Sequence, residues 1–419
     1  MKNCFKLNWL LGISLLAVTC DGDDWPQFLG PNRNSKSAEA KLLNQWPQDG
    51  LDVQWRVKLG EGMSGISIVG TRLVTMYQDD KNQFVACLRT TNGEKLWETP
   101  VASRYENSMG HGPRATPTIV DNHVYSYSGD GILTALDLET GNVIWSSDPK
   151  QKLKSKPAEY GLSSSPLVLG NEVIIQTQPG DEGYSICAYA RDNGKFKWGT
   201  LRYPPGYSSP VIFEHKNSPQ ILLFSGEALV GVEPVTGRAI WEFPFITEYN
   251  CNVANPIVIG KDILISSGEN QGSVLLSVTA KTANGNTNYK VKPVWSSRGR
   301  NSLLRSEWQT PIYHDGYLYG FDNVGSAGPV TSLTCLNLET GKQNWLEKRF
   351  GKGNLIFADN KLLITTMKGH LILVKANPHK FEELGRQVVI GQTRQPPALS
   401  NGRVYLRDNR EVVCIDLNR

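Results

Sequence analysis

What the chain lacks narrows it first. No CxxC pair occurs among the seven cysteines, so a metal knuckle or redox dithiol of that spacing is excluded. The six histidines are scattered without HxH or HExxH spacing, which removes the zinc enzymes read from those motifs. No GxSxG frame surrounds the serines of GLSSSP at 161–166, so a nucleophile-elbow hydrolase goes too. SGDG at 128–131 is an Asp-Gly hairpin turn and lacks the spaced oxygens of an EF-hand loop. Lysine and arginine form no dense run and the net charge is only +4, leaving no electrostatic footprint for nucleic acid. Beyond residue 18, no apolar run approaches the roughly 20 residues of a membrane helix.

What is present begins with a leader. Lys2 and Lys6 precede an apolar run from Leu7 to Val18, followed by Thr19-Cys20-Asp21-Gly22. That order reads as a signal peptide over 1–22, so export is expected, to the periplasm or the outer membrane of a bacterial envelope. Cys20 is either a lipid-accepting cysteine or the neighbour of an ordinary cleavage site, since Ala17-Val18-Thr19 matches a lipobox only loosely. A lipid on Cys20 is the only membrane contact expected. The Pro/Asn-rich stretch 23–50 is expected to be extended and to wrap the surface of the folded region C-terminal to it.

From 51 to 419 the chain is repetitive. The unit PTIVDNHVYSYSGDGILTALDLETGNVIW at 117–145 ends in a Thr-Gly turn and a tryptophan, Trp145. Versions of that ending close at Trp97, Trp198, Trp241 and Trp345, a degenerate copy at Trp295, and an orphan strand DVQWRVKL carries Trp55. A spacing of roughly 40 to 55 residues suits one four-stranded blade per repeat. Each indole is expected to wedge against the neighbouring blade, burying about 200 Å². Prolines at 117, 166, 210, 256 and 311 open the strands nearest the axis. Asp121-Asn122, Gly170-Asn171 and Asp359-Asn360 supply residues that tolerate the left-handed backbone of tight hairpins. Counting starters gives eight blades. The last lacks an outer strand, which the orphan strand supplies, so the ring closes without exposed sheet edges and a monomer is expected. Blade seven lacks the Thr-Gly turn and the tryptophan, and blade five carries TANGNTNYKVK in place of its turn. Cys87, Cys187, Cys335 and Cys414 lie within apolar strands and read as small core residues.

The TGxxxW endings, starter prolines and blade count resemble the quinoprotein-like propeller superfamily, over about residues 50–419. That superfamily holds pyrroloquinoline-quinone (PQQ) dehydrogenases and BamB-type lipoproteins of outer-membrane assembly. DWPQFLGPNRNS at 24–35 and GPRATPTI at 112–119 also resemble exported PQQ-binding-like repeat proteins of planctomycete-type bacteria. The resemblance implies two functions. One is a non-catalytic binding or scaffold propeller with a protein partner in the envelope. The other is a PQQ- and calcium-dependent alcohol or polyvinyl-alcohol dehydrogenase using a quinone at the central channel. The dehydrogenases' adjacent-cysteine disulfide has no counterpart here, nor does any Glu, Asn and Asp set match their calcium and base positions, so no catalytic or metal residue is carried over. The binding reading is preferred.

One mouth of the channel is expected to be ringed by the residues three before each starter: Met63, Arg114, Ser163, Tyr207, Val253, Trp308, Lys352 and Arg394. Of these, Arg114, Tyr207, Trp308, Lys352 and Arg394 form the candidate ligand site, a basic and aromatic funnel for an anion. His111, Asn252, Asn255, Arg305 and Glu307 are neighbouring polar candidates, His111 reading first as an exposed loop residue.

Overall fold

The computed structural model describes residues 24–155, 157–180, 183–215, 218–283, 286–325 and 330–419. The leader and Cys20 lie outside them. Eight antiparallel four-stranded sheets make an eight-bladed propeller. Seven are consecutive, at 66–103, 118–147, 167–200, 211–244, 257–298, 312–347 and 353–388. The eighth takes three strands from 398–416 and its outermost from Asp52–Lys58, paired antiparallel with Glu411–Asp416. Asp121-Asn122 and Asp359-Asn360 turn between first and second strands with both residues at positive φ, which matches the right-handed twist of the flanking strands.

The tryptophans sit in a consistent register. Trp97 lies opposite Cys87 on the third strand, Trp145 opposite Ala135, Trp198 opposite Ala188, Trp241 opposite Gly231, Trp345 opposite Cys335 and Trp55 opposite Cys414. The partner is small for a steric reason: a methyl on Gly231 would run into the Trp241 indole. Three cysteines are thus indole seats, and burial pushes their thiols up to about 12, which leaves them unreactive. Five indoles donate into the next blade, whereas Trp198 packs on Gly237 of the next blade but donates to Glu172 Oε2 of its own at 3.1 Å. Trp55 Nε1 donates to the Thr90 carbonyl at 2.9 Å, Trp97 to Leu138 at 2.9 Å and Trp145 to Arg191 at 2.9 Å. Trp295 donates to Leu338 at 2.6 Å and Trp345 to Asn377 at 2.8 Å. The turn glycines ahead of the outer strands do two things at once. Gly141 and Gly194 hold φ of 72° and 65°, and any Cβ there would enter the indole of Trp97 or Trp145.

Two seams depart from this pattern. In blade seven the register position of the tryptophan is Gly385, opposite Leu373. Trp46 from the N-terminal segment lies against Gly385 and donates Nε1 to the Leu371 carbonyl at 3.2 Å. In blade five the insertion extends a hairpin of Gly272–Ala283 and Asn286–Arg298. Its Tyr289 and Val291 pack against the blade-four cluster around Phe213. Trp241 donates to Gln220 Oε1 of its own blade at 2.6 Å.

The segment before the propeller is inserted into it, where a surface wrap was expected. Trp25 pairs with Ile68 on the inner strand of blade one, and Pro26 accepts from Ile119 N–H of blade two at 2.8 Å. Arg33 Nη1 and Nη2 donate at 2.9 Å to the carbonyls of Pro166 and Ser165 in blade three. Ser35 and Ser37 then pair with Phe357 of blade seven. The segment therefore crosses the channel. Burial brings the Arg33 guanidinium down to about 9. Farther on it fills the seam between blades seven and eight, with Leu42 N–H on Asp359 Oδ2 at 3.0 Å and Leu43 N–H on the Leu417 carbonyl at 2.8 Å.

Candidate functional site

The channel mouth is built on a girdle of hydrogen bonds between blades. The residue directly before five starter prolines is Thr116, Ser165, Ser209, Asn255 or Thr310, and all are buried. Each accepts from the backbone N–H of the preceding blade. Gly65 donates to Thr116 Oγ1 at 3.1 Å, Thr116 to Ser165 Oγ at 2.9 Å and Ser165 to Ser209 Oγ at 2.9 Å. Ser209 donates to Asn255 Oδ1 at 2.9 Å, and Asn255 to Thr310 Oγ1 at 3.0 Å. Burying these N–H groups would cost about 1–3 kcal/mol each without an acceptor. Blade eight has Pro396-Pro397 at this place, and a proline offers neither N–H nor hydroxyl. Longer side chains close the gap: Asn354 Nδ2 donates to the Arg394 carbonyl at 2.9 Å and Gln395 Nε2 to the Gly62 carbonyl at 2.5 Å. The girdle was missed from the sequence, although Ser, Thr or Asn before proline at blade spacing was its visible signal.

Above the girdle the structure divides the five candidate residues into two groups. Trp308, Lys352 and Arg394 come together, with Lys352 Nζ 5.0 Å and Arg394 Cζ 5.7 Å from the Trp308 ring centroid. Lys352 Nζ also lies 2.7 Å from Glu307 Oε2. Burial raises the Glu307 carboxyl above its ordinary range, and Lys352 opposes that rise. Ser306 Oγ, Trp308 Nε1 and Gln309 Nε2 are buried polar atoms without a hydrogen-bond partner among the described residues.

Arg114 and Tyr207 belong to the second group, across the mouth. Arg114 is only 9% exposed, donates to the carbonyls of Gly112 at 2.8 Å and Gly110 at 2.6 Å, and covers Tyr105. Burial lowers its pKa. Tyr207 holds φ of 73°, packs its ring 5.6 Å from Tyr160, and has its phenol pushed up by burial. Arg394 Nη1 donates to the Met109 carbonyl at 3.1 Å and ties the two sides together. The mouth is less basic than the residue count implies, because Lys352 is matched by Glu307, while Arg114 is turned into backbone carbonyls.

Of the neighbouring polar residues, Arg305 is drawn into a buried bidentate pair with Asp322, at 2.6 and 2.5 Å, beside a cavity of about 420 Å³ on blade six. His111 is exposed and accepts from Asn107 N–H at 3.2 Å. Asn252 braces the Ser225 and Phe245 carbonyls at 2.7 and 3.1 Å, and Asn255 belongs to the girdle. Calcium requires several carboxylate and amide oxygens around one point. Among the described residues no three His, Cys, Asp or Glu side chains converge in that way, Glu307 already carries an ammonium, and both asparagines brace backbone. Among the described residues, therefore, no calcium site is assembled at the mouth.

Known proteins match this frame. A BamB from Xanthomonas campestris pv. campestris is 34% identical over 107 residues, 25% of this chain and 24% of that protein, so the aligned part spans about a quarter of that relative. A tetrathionate hydrolase from Acidithiobacillus ferrooxidans is 24% identical across 73% of this chain and 71% of its own. In structure, BamB from Moraxella catarrhalis superposes with a TM-score of 0.62 at 15% identity, covering 87% of this chain and 99% of that one. Quinohemoprotein alcohol dehydrogenase from Comamonas testosteroni gives 0.69 at 14% identity, covering 94% and 81%. These structural likenesses show the fold. The family model described as outer membrane protein assembly factor BamB matches residues 47–159 and 81–347, more than half of the sequence, and the chain therefore belongs to that family of PQQ-like propeller repeats.

Proposed function

We propose that this chain is an exported, non-catalytic binding propeller that presents its mouth-face loops to a protein partner in the bacterial envelope, in the manner of BamB in outer-membrane protein assembly. The observation that carries the reading is the state of the mouth: its part-buried carboxylate, Glu307, is neutralised by Lys352 at 2.7 Å, and Asn252 and Asn255 hold up loops and girdle. The segment 24–37 across the channel gives the disc rigidity. Lipidation of Cys20 would tether it, and it would act as a monomer. The test is capture of the tagged mature chain from envelope extracts, with the partner identified. Recovery of an outer-membrane barrel-assembly protein supports the reading, and failure to recover any envelope protein overturns it.

A second reading rests on one observation, the Trp308 face with two cations 5.0 and 5.7 Å away, a platform for a flat polyanion such as PQQ. Under it the chain is a quinone-dependent alcohol dehydrogenase. Calorimetry with PQQ, with and without calcium, decides it. Calcium-dependent binding that is lost in Trp308→Ala and Arg394→Ala would establish the cofactor site, and no heat at millimolar PQQ would eliminate it.

A further inference from the structure

A groove of about 990 Å³ lies on the mouth face along the seam where blade eight meets blade one. It runs from Lys58 and Glu411, at the strand ends of blade eight, to Met63 and Arg394 at the axis. Its volume is at the top of the range for small-ligand clefts, and it is bounded by four loops, open along its length. Its charges are unevenly engaged. Each carboxylate already has partners. Glu61 takes Arg104 at 3.4 Å and Glu411 takes Arg56 at 2.9 Å. Asp408 accepts from the backbone N–H groups of Gly391, Arg410 and Glu411 at 3.1, 2.7 and 2.8 Å. The cations lining the groove, Lys58, Arg394 and Arg410, are exposed, and none forms an ion pair among the described residues. Met109, 52% exposed on one lip, adds an adaptable apolar contact.

We propose that this seam groove binds an acidic, extended peptide segment of a partner protein, whose carboxylates meet Lys58, Arg410 and Arg394 while an apolar side chain rests on Met109. The inference rests on the binding reading above and gives it a place on the molecule. The peptide's charge complements three exposed cations that form no ion pair among the described residues, and an open groove admits a continuing chain where a closed pocket would not.

Fluorescence anisotropy of a labelled peptide of alternating Glu and Leu tests it, with the Lys–Leu counterpart as control, on the mature full-length chain. Saturable binding of the acidic peptide is expected, weakened about tenfold or more in Lys58→Glu/Arg410→Glu and by added salt. Lys197→Glu/Lys342→Glu, two exposed cations far from the groove, should leave it unchanged. Equal weakening by both pairs, or no saturation near ~1 mM, overturns the groove. Both pairs are exposed, and near-UV circular dichroism checks that they fold. Envelope capture repeated with the groove variant separates the two proposals. A partner still captured overturns the groove and leaves the binding reading standing, whereas capture by neither chain overturns the reading itself.

Discussion

Blades two to six and the arc formed by blades seven, eight and one solve the same packing problem with different parts. In the regular arc a Ser, Thr or Asn before a proline ties each blade to its neighbour at the axis. At the perimeter a tryptophan packs on the turn glycine of the next blade, Trp97 on Gly141, Trp145 on Gly194 and Trp198 on Gly237. Such local, repeated contacts need only the sequence of two adjacent repeats. The closing arc has Pro396 where the girdle residue should be and Gly385 where the tryptophan should be. It recruits residues from far along the chain: Gln395, Trp46 and Arg407, whose guanidinium donates to Thr75 Oγ1 at 2.9 Å and to the Met76 carbonyl in blade one. A repeat array stabilises itself through nearest neighbours, but a ring must also join its ends, and that contact has no repeat to copy. The mouth's exposed cations and the seam groove fall in this irregular arc.

If the two arcs differ in this way, the largest loss is expected from Arg407→Ala. It removes charge-assisted bonds across the blade eight–blade one seam and should cost about 3–4 kcal/mol, read as a fall in the unfolding midpoint. Hydrogen exchange should rise in blades one and eight first; uniform acceleration around the ring would break the distinction between arcs. Trp46→Ala should cost about 2–3 kcal/mol, since the indole covers Gly385 and no other residue takes its place. A neutral result would mean that blade seven docks by other means. In the regular arc, Gly237→Ala should cost about 2 kcal/mol, combining φ of 72° with a clash against Trp198, and its effect should stay within blades three and four. Thr116→Val leaves Gly65 N–H buried without its acceptor, for about 1–2 kcal/mol, and Ser209→Ala should match it if the girdle is a true repeat.

The smallest effect concerns pH. Burial holds the Glu307 carboxyl high, so the folded chain binds that proton more tightly than the unfolded chain does. Its ionisation thus costs stability as pH rises above the ordinary glutamate value of 4.5, and below that value the cost is absent. The stability of Glu307→Gln relative to the parent should climb from pH 4 to pH 7; a flat difference would show Lys352 fully offsetting the burial.

Much of this architecture is legible in the residues. The eight starters, the Asp-Asn hairpins and the Thr-Gly endings are local signals with local causes, and the three cysteines in indole seats follow from the repeat alignment. The candidate mouth was legible only as a set of positions. Trp308, Lys352 and Arg394 meet, while Arg114 is turned into the carbonyls of Gly110 and Gly112, and Arg305 is drawn to Asp322. Nothing at single positions distinguishes these outcomes, because each depends on loops that come from different blades.

The blade, its count and the closure by strands from both ends are written in the order of the residues, since hydrophobic period, turn chemistry and repeat length are properties of near neighbours in the chain. Three other features belong to the folded ring alone: the path of 24–50 through the channel and into the seam, the indole that Trp46 lends to blade seven, and the engagement of particular mouth charges. Those are contacts between residues hundreds of positions apart, and their energies depend on burial and distance that exist only once the ring has closed.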